Sequence, residues 1–113
     1  MHELSICESI RSIIEEQART SSFTRVERVR LAVGPLSGVE AEALRFGFDV
    51  AMQDSIASSA VLEIMETEAT AWCMICADTV KMRQRYDGCP TCGSYQLQIL
   101  TGEELRIESL EVN

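Results

Sequence analysis

From Leu4 to about Thr20 the apolar residues Ile6, Ile10, Ile13 and Ile14 recur at helical spacing, with Glu8, Arg11, Glu15 and Arg19 mainly on the other face. The spacing predicts an amphipathic helix. Arg25 to Gly34 switches to alternation, Val29, Leu31 and Val33 on one side and Arg28 and Arg30 on the other, which predicts a strand. Gly34-Pro35-Leu36-Ser37-Gly38 reads as a turn-rich loop. Glu40 to about Met52 returns to helical spacing with Leu44, Phe48, Ala51 and Met52 inward. Glu40 and Glu42 fall in its first turn, where the helix dipole favours anions. After a polar connection, Asp54 to Ala60, the run Val61 to Thr67 predicts a second strand that could continue towards Trp72.

The next segment carries two matched cysteine pairs, Cys73-Met-Ile-Cys76 and Cys89-Pro-Thr-Cys92. Between them Val80, Met82 and Tyr86 sit at even spacing among Lys81, Arg83 and Arg85, which predicts a short antiparallel hairpin within Ala77 to Gly88. A strand is expected from Tyr95 to Leu100 and a turn at Thr101-Gly102-Glu103. Leu105, Ile107, Leu110 and Val112 predict a last strand with an irregularity near Ser109. Two helices and three strands make a sound α/β layer only if this last strand returns to the first sheet. The expected fold is therefore α+β: two helices on a three-stranded mixed sheet, with an inserted zinc-ribbon-like lobe. Residues 70-100 form the insertion, and residues 1-69 and 101-113 form the main domain, because the lobe alone is too small for a core of its own.

A chain of 113 residues with 46% hydrophobic residues can bury one core, and at 5% aromatic residues that core is mainly aliphatic. Its formal net charge is −8. Four zinc-bound thiolates, less the two charges of the ion, would take it to about −10. Phosphate backbones and anionic membranes repel such a chain, so neither nucleic acid nor membrane is an expected partner. No apolar run reaches the ~18 residues of a membrane span. Glu3, Glu8, Glu15 and Glu16 interrupt anything resembling a secretion signal, so a cytoplasmic location is expected.

In a reducing compartment, paired CxxC units are metal ligands rather than disulfides. Two knuckles of two thiolates place four soft donors at tetrahedral corners, the preference of Zn²⁺. Pro90 stiffens the second knuckle, and Gly93 can take the positive φ of a tight turn. Four thiolates without a histidine leave no open position, which predicts structural rather than catalytic zinc. Lys81, Arg83 and Arg85 read as a solvated hairpin face, with contact to an acidic partner as the sharper alternative. The fifth cysteine, Cys7, shares an inward face with Ile10 and Ile14 and reads as a core residue.

The only histidine is residue 2. A disordered terminus is its plainest reading. Chemistry offers another, because Met1 is retained before a bulky histidine. The Met1 amine, the backbone nitrogen and imidazole of His2, and the backbone nitrogen of Glu3 could then surround one ion. An all-nitrogen planar set suits Ni²⁺ or Cu²⁺ and does not by itself select nickel. Glu40 is a further carboxylate candidate, explained equally well as a helix-start acid. Two rival functions stand beside a metal carrier. One is a zinc-ribbon interaction adaptor without a second metal. The other is a zinc hydrolase or deaminase, which lacks the His-x-Glu arrangement such enzymes use.

Several stretches together resemble the HypA/HybF family, the nickel metallochaperones of nickel-iron hydrogenase maturation. They are Met1-His2-Glu3-Leu4-Ser5, Gly34-Pro35-Leu36-Ser37-Gly38-Val39-Glu40 leading to Leu44-Arg45-Phe46-Gly47-Phe48, the paired CxxC units, and Gly102-Glu103-Glu104-Leu105-Arg106-Ile107 with Glu111-Val112. The resemblance spans essentially the whole chain. It implies a non-enzymatic carrier in which Met1, His2 and the Glu3 backbone hold nickel, while Cys73, Cys76, Cys89 and Cys92 hold zinc. It also implies a HypB-type partner GTPase and delivery to the hydrogenase large-subunit precursor. Some members carry histidines beside the CxxC cysteines, linked to acid sensing. Here Ala77 and Gly93 stand in those places, which puts such a switch in doubt for this chain.

Overall fold

The computed structural model describes residues 2–113. Its elements are α1 (His2–Ser21), β1 (Val26–Val33), α2 (Ala41–Ala51), β2 (Val61–Glu66), β3 (Ala69–Cys73), β4 (Asp78–Met82), β5 (Leu97–Thr101) and β6 (Leu105–Val112). They form two three-stranded sheets, β2-β1-β6 and β4-β3-β5. The chain divides into two compact units: Met1–Leu31, Val39–Ile64 and Ile107–Asn113 in the first, Ala32–Gly38 and Met65–Arg106 in the second. Among the described residues no helix is long and apolar enough to cross a membrane.

In the first unit the helical stripes read from the sequence become the core. Cys7, Ile10 and Ile14 of α1 and Leu44, Phe48 and Ala51 of α2 are buried, as are Val26, Val29 and Leu31 of β1. The helix begins at His2, two residues earlier than the apolar spacing predicts. Glu40 caps α2 by accepting from the Glu42 N–H (3.3 Å) and the Ala43 N–H (2.8 Å). At the other end Arg11 Nη1 donates to the carbonyls of Ala51 and Gln53, both at 3.0 Å, where a helix leaves acceptors without partners. The polar side of β1 is ion-paired: Arg28 Nη1 lies 2.8 Å and Arg30 Nε 3.0 Å from the Glu63 carboxylate. Both guanidiniums also approach Glu111, at 3.4 and 3.7 Å.

The last strand does return to the first sheet, beside β1. The alternation of burial along it breaks near Ser109, as expected, with Ser109 and Leu110 both half-buried. Ile107, Ser109, Leu110 and Val112 line one groove with α1, while Glu111 faces Arg28 and Arg30. The Gly34 N–H donates to Glu104 O (2.7 Å) and the Asn113 N–H to Arg25 O (3.2 Å), so β6 runs antiparallel to β1.

The second unit corrects two expectations. The strand from Val61 does not continue towards Trp72. It ends at Glu66, and Ala69–Cys73 starts a strand in the other sheet. At the break the Thr67 N–H donates to Val33 O (3.1 Å), its hydroxyl donates to Glu104 Oε2 (2.6 Å), and Glu68 O accepts from the Thr101 hydroxyl (3.1 Å). The spacer between the cysteine pairs is also not a hairpin in itself. Only Asp78–Met82 is strand, and it pairs antiparallel with β3 from Ala69↔Met82 to Cys73↔Asp78. Beyond Met82 the chain closes a turn, with the Asp87 N–H on Gln84 O at 3.2 Å and the Gln84 N–H on Asp87 Oδ2 at 3.1 Å. Alternation alone could not separate a strand that pairs backward with β3 from one that folds on itself.

Leu36, Ala69, Ala71 and Met82 form the small core of this unit, flanked by Val80, Leu97 and Ile99. The loop carrying Leu36 lies against the Gly102 turn, with the Leu36 N–H on Gly102 O at 2.7 Å. A Cβ on Gly34 would meet Gly102 O at 2.1 Å, so this approach requires glycine. Arg85 Nη2 donates to Leu36 O and to Glu103 Oε2, each at 2.6 Å.

Candidate metal centre

The four cysteines predicted as ligands converge. Cys73 ends β3, and β4 pairs back to it, so the turn between the strands is the first knuckle. The Ala77 N–H closes that turn on Cys73 O (2.8 Å), and the Gly93 N–H closes the second on Cys89 O (2.8 Å). Both closing residues are left-handed, Ala77 at φ 51° and Gly93 at φ 77°. Each turn aims an amide at its leading sulfur: the Cys76 N–H lies 3.3 Å from Cys73 Sγ and the Thr91 N–H 3.4 Å from Cys89 Sγ.

All four sulfurs lie within 4.8 Å of one another. Cys73 Sγ to Cys92 Sγ is 3.6 Å and Cys76 Sγ to Cys89 Sγ is 3.9 Å. A disulfide needs about 2.05 Å. Four sulfurs about 2.3 Å from a central Zn²⁺ would stand about 3.8 Å apart in a tetrahedron, so the site fits that ion. Cys73 and Cys89 are buried, and Cys92 faces solvent. The thiols titrate unequally. The Cys92 and Thr91 amides help to draw Cys89 down to about 6. The hydrogen bond with Cys92, then burial, pushes Cys76 up to about 12. A bound dication would replace the protons of all four and remove that inequality.

The other predicted site residues lie at the start of α1. Met1 is outside the described residues. His2 is the first residue of α1, its side chain 63% exposed, and its Nδ1 is 3.8 Å from Glu3 Oε2. The same Glu3 oxygen accepts the Glu40 N–H at 3.3 Å. Its own backbone N–H first, and that of Glu40 second, hold the Glu3 carboxyl below the usual carboxylate range, against a smaller opposing effect of burial. This link between the first residues and the start of α2 escaped the sequence reading, because nothing in the spacing pairs residue 3 with residue 40. The Glu40 carboxylate is engaged as the helix cap. Cys7 is a core thiol: it is buried, donates to Leu44 O (3.4 Å), and burial followed by the Glu3 charge pushes it up to about 11. Of the basic stripe, Lys81 pairs with Glu68 at 3.4 Å, and Arg85 is committed to Leu36 and Glu103.

A family described as "Hydrogenase/urease nickel incorporation, metallochaperone, hypA" matches residues 1–112. The chain belongs to the HypA family. The hydrogenase maturation factor HypA of Alkalilimnicola ehrlichii is 53% identical over 113 residues, covering 100% of both chains. That of Acidithiobacillus ferrooxidans is 54% identical over 112 residues, covering 99% of each. The solution structure of the nickel metallochaperone HypA from Helicobacter pylori superposes with a TM-score of 0.70 at 27% identity, covering 97% of this chain and 96% of that one. A second HypA solution structure gives 0.72 at 28% identity, covering 100% and 97%. The family is one of metallochaperones, and the four-cysteine cluster is a site able to hold a metal ion.

Proposed function

We propose that this HypA chain carries Ni(II) on its first three residues and passes it on, with a HypB-type GTPase, to a hydrogenase large-subunit precursor in the cytoplasm. The ligands in this reading are the Met1 amine, the backbone nitrogen and imidazole of His2, and the Glu3 backbone nitrogen. Cys73, Cys76, Cys89 and Cys92 hold a resident Zn(II). Residues 1-69 and 101-113 form the nickel-binding domain, and residues 70-100 form the zinc-binding domain. The observation that carries the reading is the exposed His2 imidazole, the only one in the chain, at the first residue of α1. An exposed ligand set can exchange its ion with a partner, whereas four thiolates fixed by two closed turns hold theirs. The family description supports nickel as the cargo, and the names of the hydrogenase-factor relatives support a hydrogenase as its destination.

Titrating Ni²⁺ into zinc-loaded protein tests this in three forms: the native terminus, His2→Ala, and a short N-terminal extension. The native form binds one nickel ion tightly, and both altered forms lose that site. An interaction adaptor would show no specific site in any form. Binding releases protons, because the amine, the imidazole and the ligating amides must give theirs up. Affinity therefore falls as pH drops from about 8 to about 6.5, the range in which free amines and imidazoles gain protons. A flat affinity across that range contradicts this ligand set.

A further inference from the structure

The sheet of the second unit has an outward face that bears large apolar side chains. Ala69, Ala71 and Cys73 of β3 turn inward and are buried, so Thr70 and Trp72 turn the other way. The antiparallel register sets Thr79 and Gln98 beside Trp72, and Lys81 and Thr101 beside Thr70, on that same outward face. The Thr70 and Thr101 hydroxyls meet there at 2.8 Å. The Met74 N–H donates to Gln96 O (2.9 Å), which carries the ladder one residue past β3 and turns Met74 outward as well.

Leu100 is the extra residue where the register shifts from Thr70↔Thr101 to Ala71↔Ile99, at the side of this face. Ile75 follows Met74 on the first knuckle. Trp72, Met74, Ile75 and Leu100 are 37%, 59%, 60% and 52% exposed. Single exposed apolar residues are ordinary, but four large ones on one face and its rim mark a contact surface. Trp72 stands on the central strand, which is paired on both sides, so the face offers side chains rather than backbone groups.

The charge here is opposite to that of the chain, which is −8 overall. Arg11, Arg28, Arg30 and Arg85 are bound to carboxylates or carbonyls of their own chain. Lys81, the only lysine, touches Glu68 at 3.4 Å, but the two side chains are 78% and 73% exposed, so the pair holds little. Arg83, two residues further on, has no hydrogen bond or ion pair among the described residues. Apolar side chains beside available cations fit a segment that is both apolar and acidic. From Thr70 to Met74 the face spans about 13 Å, about two and a half turns of a helix.

We propose that this face of the β4-β3-β5 sheet docks an acidic amphipathic helix of another protein. The helix lays its apolar stripe over Trp72, Leu100 and Met74 and sets its carboxylates against Lys81 and Arg83. A helix is the ordinary cover for a sheet face that presents apolar side chains. The contact needs no nickel, so it stands apart from the assignment of nickel to the first residues.

Trp72 is the only tryptophan in the chain, so its emission reports the contact. The probe is a capped peptide of Glu, Leu and Ala, about 15 residues long so that it can be helical, with leucine at helical spacing. Added to the zinc-loaded chain, it should shift Trp72 emission to the blue and saturate. The same peptide with Lys in place of Glu should not. Lys81→Glu combined with Arg83→Glu should raise the dissociation constant of the Glu peptide about tenfold or more and let the Lys peptide bind instead, a gain that a misfolded variant could not show. Leu100→Ser should weaken binding with both cations in place. Carbodiimide coupling on the wild-type chain should join a peptide carboxylate to Lys81. No emission shift at millimolar Glu peptide overturns the proposal. So does binding that ignores the charge reversals or Leu100→Ser, a double variant that rejects the Lys peptide, or coupling that misses Lys81. An emission shift on concentrating the chain without peptide overturns it too, because the face would then belong to a second copy.

Discussion

At the scale of single residues, the cysteines were legible and the residues that aim them were only half so. A CxxC pair declares its chemistry because two thiolates on one short turn have few other uses. The left-handed closing residue declares itself only when it is glycine, as Gly93 does. Ala77 holds the same position in the first knuckle at φ 51° without leaving any signal in the sequence. A side chain pays about 1–2 kcal/mol for that conformation, and glycine pays little. Gly93→Val should therefore lower the stability of the zinc-loaded protein by about 1–2 kcal/mol. Ala77→Gly should leave it within about 0.5 kcal/mol, since relief of strain offsets the greater freedom of the unfolded chain. Urea unfolding of the two variants measures the difference, and equal losses would deny that the knuckles share a geometry. Arg85 was similarly hidden. Its place in a basic stripe suggested an exposed face, but it is spent on the Leu36 carbonyl and Glu103.

At the scale of elements, periodicity recovered both helices, the return of the last strand and the irregularity near Ser109. It failed where the partner of a strand decides the structure. The Val61 run looked extendable because Thr67 to Trp72 has the composition of a strand, yet the hydrogen bonds of Thr67 and Glu68 separate it into two. Glu104 joins that junction to the turn before β6, accepting the Gly102 N–H at 2.8 Å as well as the Thr67 hydroxyl. The Gly102 amide first, and the Thr67 hydroxyl second, hold its carboxyl below the usual range. A carboxyl lowered in the folded state contributes stability above its unfolded value, and that contribution is lost as pH falls through its folded value. Thermal unfolding should therefore drop between about pH 5 and pH 3, and Glu104→Gln should flatten that drop while costing stability at neutral pH. An unchanged pH profile in the variant would show that the two hydrogen bonds carry no such linkage.

At the scale of the whole molecule, two metals of different chemistry are assigned to opposite kinds of ligand. In the proposed assignment the zinc donors are four sulfurs on two closed turns, and the nickel donors are nitrogens at the chain start. Sequence spacing pointed to both candidate sets but weighed them unequally, because a four-cysteine pattern is specific and a lone histidine is not. Folding brings the four cysteines together and leaves His2 exposed, while Glu3 links its neighbourhood to the start of α2. Thiolates also bind nickel, so the account turns on which ion each set of donors holds. X-ray absorption at both metal edges, on native-terminus protein loaded with one zinc and one nickel, decides this most directly. The nickel edge should show nitrogen or oxygen neighbours only, including an imidazole that disappears in His2→Ala, while the zinc edge shows four sulfurs at about 2.3 Å. Sulfur in the nickel shell, or a nickel spectrum indifferent to His2→Ala, would contradict the assignment of nickel to the first three residues.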